Sequence, residues 1–245
     1  EYILDSPMAL YGAVPFMLSH KVGQSTGVLW LNSAEMWVDV EKKKDGISTH
    51  WMSESGLVDL FLFLGPTQSE IFNSYTKLTG RPQLPQKFAT AYHQCRWNYN
   101  TEQDALDVDS KFDDNTIPYD VLWLDIEHTD GKRYFTWDYQ KFPNPEQMQK
   151  TLAAKGRKMV TIIDPHIKKD SGYYISQKAN ELDIFVKDKD GNVYNGWCWP
   201  GDSNWLDYSN PKARDYWADQ FQYANYKDST PSLYTWNDMN EVYTL

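Results

Sequence analysis

The sequence lacks what a nucleic-acid-binding or membrane-spanning protein needs. Basic residues number 24 against 34 acidic ones, a formal net charge of −10. A polyanion therefore meets no basic face, and nucleic acid is excluded as a partner. The one basic run, Lys42–Lys44, leads into Asp45 and Gly46 and reads as a turn. No apolar stretch approaches the ~20 residues of a membrane span. Only 2 cysteines occur, Cys95 and Cys198, which form neither a metal-type pair nor a disulfide framework. His93, His128 and His166 lack metal spacing such as H-E-x-x-H and read as packed or hydrogen-bonded histidines. No glycine-rich phosphate loop follows a strand, which disfavours a nucleotide, and no N-x-S/T glycosylation site is present. No metal and no cofactor are expected.

Aromatic residues, by contrast, are abundant: 16% of the chain, with 11 Trp and 17 Tyr. Such an excess serves a tryptophan-rich core or stacking surfaces for ring-shaped ligands. The 245 residues give room for one large domain or two small ones, and 41% apolar residues support a core.

The pattern changes near residue 85. Before it, β-rich runs at 8–18, 27–32, 35–41 and 57–65 alternate with turn signals, as in antiparallel sheet belonging to a sandwich. The spacing of Ile71, Phe72, Tyr75 and Leu78 predicts a helix over 69–80 with Gly80 as its stop. "RPQLPQ" (81–86) is a proline-marked connector. The expected organisation is a partial β-sandwich with a linking helix over 1–85 and a separate α/β unit over 86–245.

In the second part, strands at 88–96, 119–128, 158–167 and 232–238 alternate with helices at 101–114, 144–156 and 210–224. Asn144 is the expected cap of the second helix, Pro145 its first residue and Gly156 its end. Right-handed βαβ crossovers make such a sheet parallel, with every strand ending on one edge. One excursion, 168–209, is long and contains "GWCWPG".

Active sites of parallel α/β folds form at that edge. The four strands end in Arg96-Trp97, in Asp125-Ile126-Glu127, in Asp164 and in Asp238. Asp125 could instead cap a turn, and Asp164 precedes Pro165, a common turn arrangement. Carboxylates beside tryptophans suit a neutral sugar: carboxylates accept its hydroxyls, and indole faces stack on its C–H face. Glycoside hydrolysis needs two carboxyl groups flanking the bond.

Three motifs, "WLDIEHTDGKRYFTWD" (123–138), "GWCWPG" (196–201) and "LYTWNDMNE" (233–241), resemble glycoside hydrolase family 31, and the resemblance covers nearly the whole chain up to Glu241. It implies a β-sandwich followed by a (β/α)8 TIM barrel, whose first half the four βα units would form. It implies a retaining mechanism through a covalent glucosyl-enzyme, with Asp238 as nucleophile and Glu241 supporting it. Asp125 would hold hydroxyls of the terminal glucose. Trp97, Trp199, Trp236 and Met239 would line the pocket, with Ile126, Ile163 and Asp164 as further pocket candidates. The acid/base would lie on a later strand, so the 245 residues alone are expected to be inactive. After Glu241 the family continues Pro-Ser-Val-Phe or similar, whereas this sequence reads "VYTL". The motifs are most similar to family members that remove α-1,3-linked glucose from N-linked oligosaccharides in the endoplasmic reticulum lumen, which implies a non-catalytic β subunit as partner. An α-xylosidase, or a truncated sugar-binding product, stays open at this point.

Overall fold

The computed structural model describes Ser6 and residues 11–240; Glu241 lies outside the described residues. Contacts divide the chain into two compact units that meet in sequence at Leu84 and Pro85.

In the first unit β1 (Phe16–Lys21), β2 (Gln24–Trp30), β3 (Met36–Lys43), β4 (Gly46–Ser53) and β5 (Leu60–Gly65) precede α1 (Gln68–Thr79). β1, β2 and β5 form an antiparallel sheet, and β3 pairs with β4 as a hairpin. β4 was not foreseen, and the basic run is a turn only in part, since Lys42 and Lys43 complete β3 and the turn begins at Lys44. α1 starts on a capping box: the Thr67 hydroxyl accepts from Glu70 N–H while the Glu70 carboxylate accepts from Thr67 N–H. Its Ile71 is fully buried against Leu29 and Phe63. Gly27 allows that approach, because a methyl group there would sit 2.8 Å from Ile71 Cγ2.

The second unit runs β6 (His93–Gln94), α2 (Glu102–Asp114), β7 (Val121–Leu124), α3 (Pro145–Ala154), β8 (Lys158–Ile163), β9 (His166–Lys168), α4 (Tyr174–Glu181), β10 (Gly196–Cys198), β11 (Gly201–Trp205), α5 (Pro211–Gln220) and β12 (Leu233–Asn237). β6, β7, β8 and β12 lie side by side in chain order, all parallel. The expected α/β architecture is therefore present: antiparallel sheets, then consecutive parallel strands with helices between them. β8 is buried along almost its whole length, as a parallel strand covered on both faces should be.

Three local expectations are corrected. The first strand is far shorter than 88–96: Lys87–Thr90 is a 3-10 turn, closed by the Ala91 N–H to Phe88 carbonyl bond and by His93 Nε2 on the same carbonyl. The third strand stops at Ile163, because Pro165 has no N–H to give the sheet. His166–Lys168 instead joins β10 and β11 in an antiparallel sheet of its own, which with α4 gives the long excursion its structure. Asn144 makes no side-chain cap bond; its backbone N–H donates to Glu102 Oε2 at 2.7 Å, so Glu102 takes over that end of α3.

A charged cluster joins α2 to the turn after α3. Arg157 Nη1 lies 2.6 Å from Asp109 Oδ1, and Lys155 Nζ lies 2.5 Å from Asp109 Oδ2. Arg157 also sits over the Tyr119 ring, 4.1 Å from its centroid. Asp109 and Arg157 are both buried, so each neutralises a charge that would otherwise be isolated.

Candidate active site

Strand register decides which side chains meet at the carboxyl edge. Asn237 of β12 is level with Ile163 of β8, so Asp238 and Asp164 leave the sheet at the same height. Leu124 of β7 is level with Thr161, which puts Asp125 beside Ile162. Gln94 of β6 is level with Leu122; Trp97 lies three residues beyond the first and Asp125 three beyond the second.

The three aspartates feel one another. Asp164 is fully buried. Burial, with the charges of Asp238 and Asp125 added, pushes its carboxyl up to about 7 against a lowering bond from Tyr134. Asp125 is half-buried and accepts Ile126 N–H at 2.8 Å. Burial also pushes its carboxyl up; the Ile126 bond opposes this, and the charges of Glu127 and Asp238 add to it. Asp238 is half-buried. The residue after it, Met239, has φ +57°, the left-handed conformation that side chains other than glycine hold at a cost. Asn240 Nδ2 donates to the Asp238 carbonyl at 2.9 Å and closes this turn.

Aromatic rings form the floor. Trp236 of β12 meets Trp123 of β7 edge to face at 5.3 Å. Trp123 Nε1 in turn donates to His93 Nδ1 of β6 at 2.9 Å. Trp97 is 71% exposed, and its indole N–H donates to Glu127 Oε2 at 3.1 Å. Ile126 and Ile163 are buried in the hydrophobic core. Trp123 was given no role from the sequence, nor was Glu127 beyond its place at a strand end, while His93 was read as a packed or hydrogen-bonded histidine, as the Trp123 bond shows it to be. Their signal was position: each lies in, or within three residues of, a strand that feeds the mouth.

The loop after β7 is fastened to the small sheet. Lys168 Nζ donates to the Gly131 carbonyl at 2.7 Å, Arg133 Nε to Asp170 Oδ2 at 3.1 Å, and Lys132 Nζ to the Trp199 carbonyl at 3.0 Å. Cys198, one residue before Trp199, feels the charge of Asp164, which brings this hairpin to the side of the mouth. Behind Asp125, buried His128 places Nδ1 2.8 Å from the Asp125 carbonyl and Nε2 3.2 Å from the Tyr226 hydroxyl. Burial holds its imidazole down at about 4. Among the described residues no cluster of His, Cys, Asp and Glu is arranged to hold a metal ion. A separate groove of about 860 Å³, lined by Trp137, Tyr139, Tyr174 and Lys227, includes none of the three aspartates.

Residues 82–245 match the glycosyl hydrolases family 31 TIM-barrel domain, and residues 1–39 match the glycosyl hydrolase 31 N-terminal galactose mutarotase-like domain. The chain belongs to glycoside hydrolase family 31. It is 57% identical over 245 residues to neutral alpha-glucosidase AB of Dictyostelium discoideum, covering 98% of this chain and 26% of that protein. It is 56% identical over 255 residues to a probable glucan 1,3-alpha-glucosidase of Arabidopsis thaliana, covering 98% and 28%. Among solved structures it superposes with a TM-score of 0.95 and 50% identity on the ER glucosidase II heterodimeric complex of catalytic subunit and the binding domain of the regulatory subunit, covering 100% of this chain and 28% of that chain. This family 31 chain thus spans about a quarter of the length of the relatives it matches.

Proposed function

We propose that these residues carry the nucleophile side of a retaining α-glucosidase site. The observation behind this reading is Asp238: a half-buried carboxylate just past the end of β12, level with Asp164, within reach of the charge of Asp125 and two residues beyond Trp236 of the Trp123–Trp236 pair. Asp238 attacks the anomeric carbon as the leaving-group oxygen takes a proton from a general acid on a later strand. The resulting glucosyl ester is opened by water, which the same group activates as base, giving net retention. Asp125 accepts hydroxyls of the terminal glucose. Trp236, Met239 and Ile126 shape the wall, Trp97 and Trp199 the rim, with Ile163 and Asp164 behind them, while Glu241 orients the nucleophile.

The names of the relatives support a finer reading. They point to an α-1,3-linked glucose as substrate, the ER as compartment and a regulatory subunit as partner; the motif resemblance adds N-linked oligosaccharides, the lumen and a non-catalytic β subunit. Treating the full-length protein with a 5-fluoroglucosyl fluoride and measuring intact and peptide masses tests the mechanism. One 5-fluoroglucosyl unit should add at Asp238, with fluoride leaving from the anomeric carbon, and labelling at any other residue would overturn the assignment.

A further inference from the structure

Tyr134, Asp164 and His166 come from the loop after β7, the end of β8 and the start of β9, and all three are fully buried. The Tyr134 hydroxyl oxygen lies 2.5 Å from Asp164 Oδ2 and 2.9 Å from His166 Nε2. Among the described residues, Asp164 Oδ1 and His166 Nδ1 have no hydrogen-bond partner. A tyrosine has one proton, so it cannot donate to both neighbours; the second contact needs a proton from Asp164 or from His166.

With a neutral imidazole and no proton on the unpartnered Oδ1, two arrangements satisfy both contacts. In the first, Asp164 is protonated and donates to the Tyr134 oxygen, Tyr134 donates to His166 Nε2, and His166 carries its own proton on Nδ1. In the second, Asp164 is ionised, Tyr134 donates to it, and His166 donates from Nε2. The second places a full charge on a buried carboxylate with a bare oxygen, beside two other carboxylates, and such a charge is expensive to hold. The two arrangements differ by one proton, and the chain itself can move it. Asp164 passes its proton to Tyr134 as Tyr134 passes its own to Nε2, and the buried Nδ1 gives one up to a water molecule when local opening admits it.

We propose that Tyr134 and His166 act on Asp164 as a proton chain that stores one proton behind the mouth, so that its negative charge stays on Asp125 and Asp238. This rests on the reading of that mouth as the sugar site and deepens it: Asp164 is a positioning residue that acts through Asp238, and in this buried position it meets no substrate. The groups facing it are Asp125 from β7, Asp238 from β12, His166 from β9 and Cys198 from β10. Tyr173 donates to the Tyr134 carbonyl at 2.7 Å from behind. Cys198 stays a neutral thiol, since burial pushes it up to about 11, and burial holds His166 down at about 3. Asp164, pushed up to about 7, is thus the group in the set whose charge changes near neutral pH.

Difference infrared titration of the full-length protein tests the chain directly. The wild type should show the carbonyl stretch of a protonated carboxylic acid that vanishes as pH passes about 7. D164N should lack it, and Y134F should hold it to higher pH, because the lost bond favoured the ionised form. Absence of the band in wild type, or its persistence in D164N, would overturn the proposal. Should D164N not fold, an unmoved titration in Y134F overturns it equally. The second readout is kcat/KM on a nitrophenyl α-glucoside. Above pH 7 a third charge beside Asp238 changes the field at the reacting carbon, so the ratio of wild type to D164N should change severalfold across pH 7, while it stays flat below pH 6. A ratio flat across the whole range means a merely structural role and sinks the proposal. A wild type that shows the band but hydrolyses no α-glucoside would fail the glucosidase reading and leave the proton chain standing.

Discussion

Acidification should unfold this protein partly through one residue, His128. Its ring is fully buried. Nδ1 faces the Asp125 carbonyl, which only accepts, so Nδ1 carries the proton and Nε2 receives the Tyr226 hydroxyl. A second proton would have to enter at Nε2, where the hydroxyl already points its own hydrogen. Burial holds the group at about 4, against its ordinary 6.5. The folded-state value is depressed for a base, so between these values the unfolded chain binds more protons and stability falls with falling pH. Each pH unit in that window costs about 1.4 kcal/mol, which gives about 2 kcal/mol by pH 5 and about 3 kcal/mol by pH 4. Urea unfolding followed by tryptophan fluorescence, in wild type and His128→Gln, isolates this contribution. The variant does not titrate, and the difference cancels the other groups, among them His166 and Asp164, whose contributions have opposite signs. The stability of wild type relative to the variant should therefore shrink by about 2 kcal/mol between pH 7 and 5. Parallel curves for the two proteins over that interval would refute the reasoning.

Other outcomes follow from the same geometry. Arg157→Met leaves buried Asp109 with Lys155 as its remaining cation beside the Tyr119 hydroxyl and should cost about 3–5 kcal/mol by chemical denaturation; adding Asp109→Asn should recover part of the loss, and a single-variant cost under about 1 kcal/mol would show the pair to be solvated. Asp238→Asn in the full-length protein should lower kcat by about 10⁴-fold or more and leave stability within about 0.5 kcal/mol, checked by steady-state kinetics beside thermal unfolding. The 245 residues expressed alone should turn over no nitrophenyl α-glucoside, because among the described residues β6 and β12 are open edges of the parallel sheet and no barrel closes around the sugar. Turnover that disappears with Asp238→Asn would overturn that expectation.

A candidate site could be proposed from the sequence because strand ends are legible. "VLWLD" and "TIID" place an acid directly after an apolar run and "TWND" places one just past Asn237, and parallel register then brings the three strand ends to one edge. Strand lengths were less legible, since apolar runs continue past the point where pairing stops. Pro165 ends β8 for lack of an N–H, while Lys87–Thr90 prefers a local turn although its composition suits a strand. The β4 strand escaped notice because "GISTHWMS" mixes polar and apolar residues without a clear period.

By itself the sequence determined the fold class and the family, because periodicity, turn residues and motif spacing are local properties. Only the tertiary structure decided which side chains cooperate. Tyr134 meets Asp164 across 30 residues, Trp123 reaches His93 across 30, and Tyr226 caps His128 across 98. These pairings depend on strand register and on loops fastened to a separate small sheet. Burial, which turns Asp164 from an ordinary carboxylate into a group that holds its proton near neutral pH, exists only once the chain has folded around it.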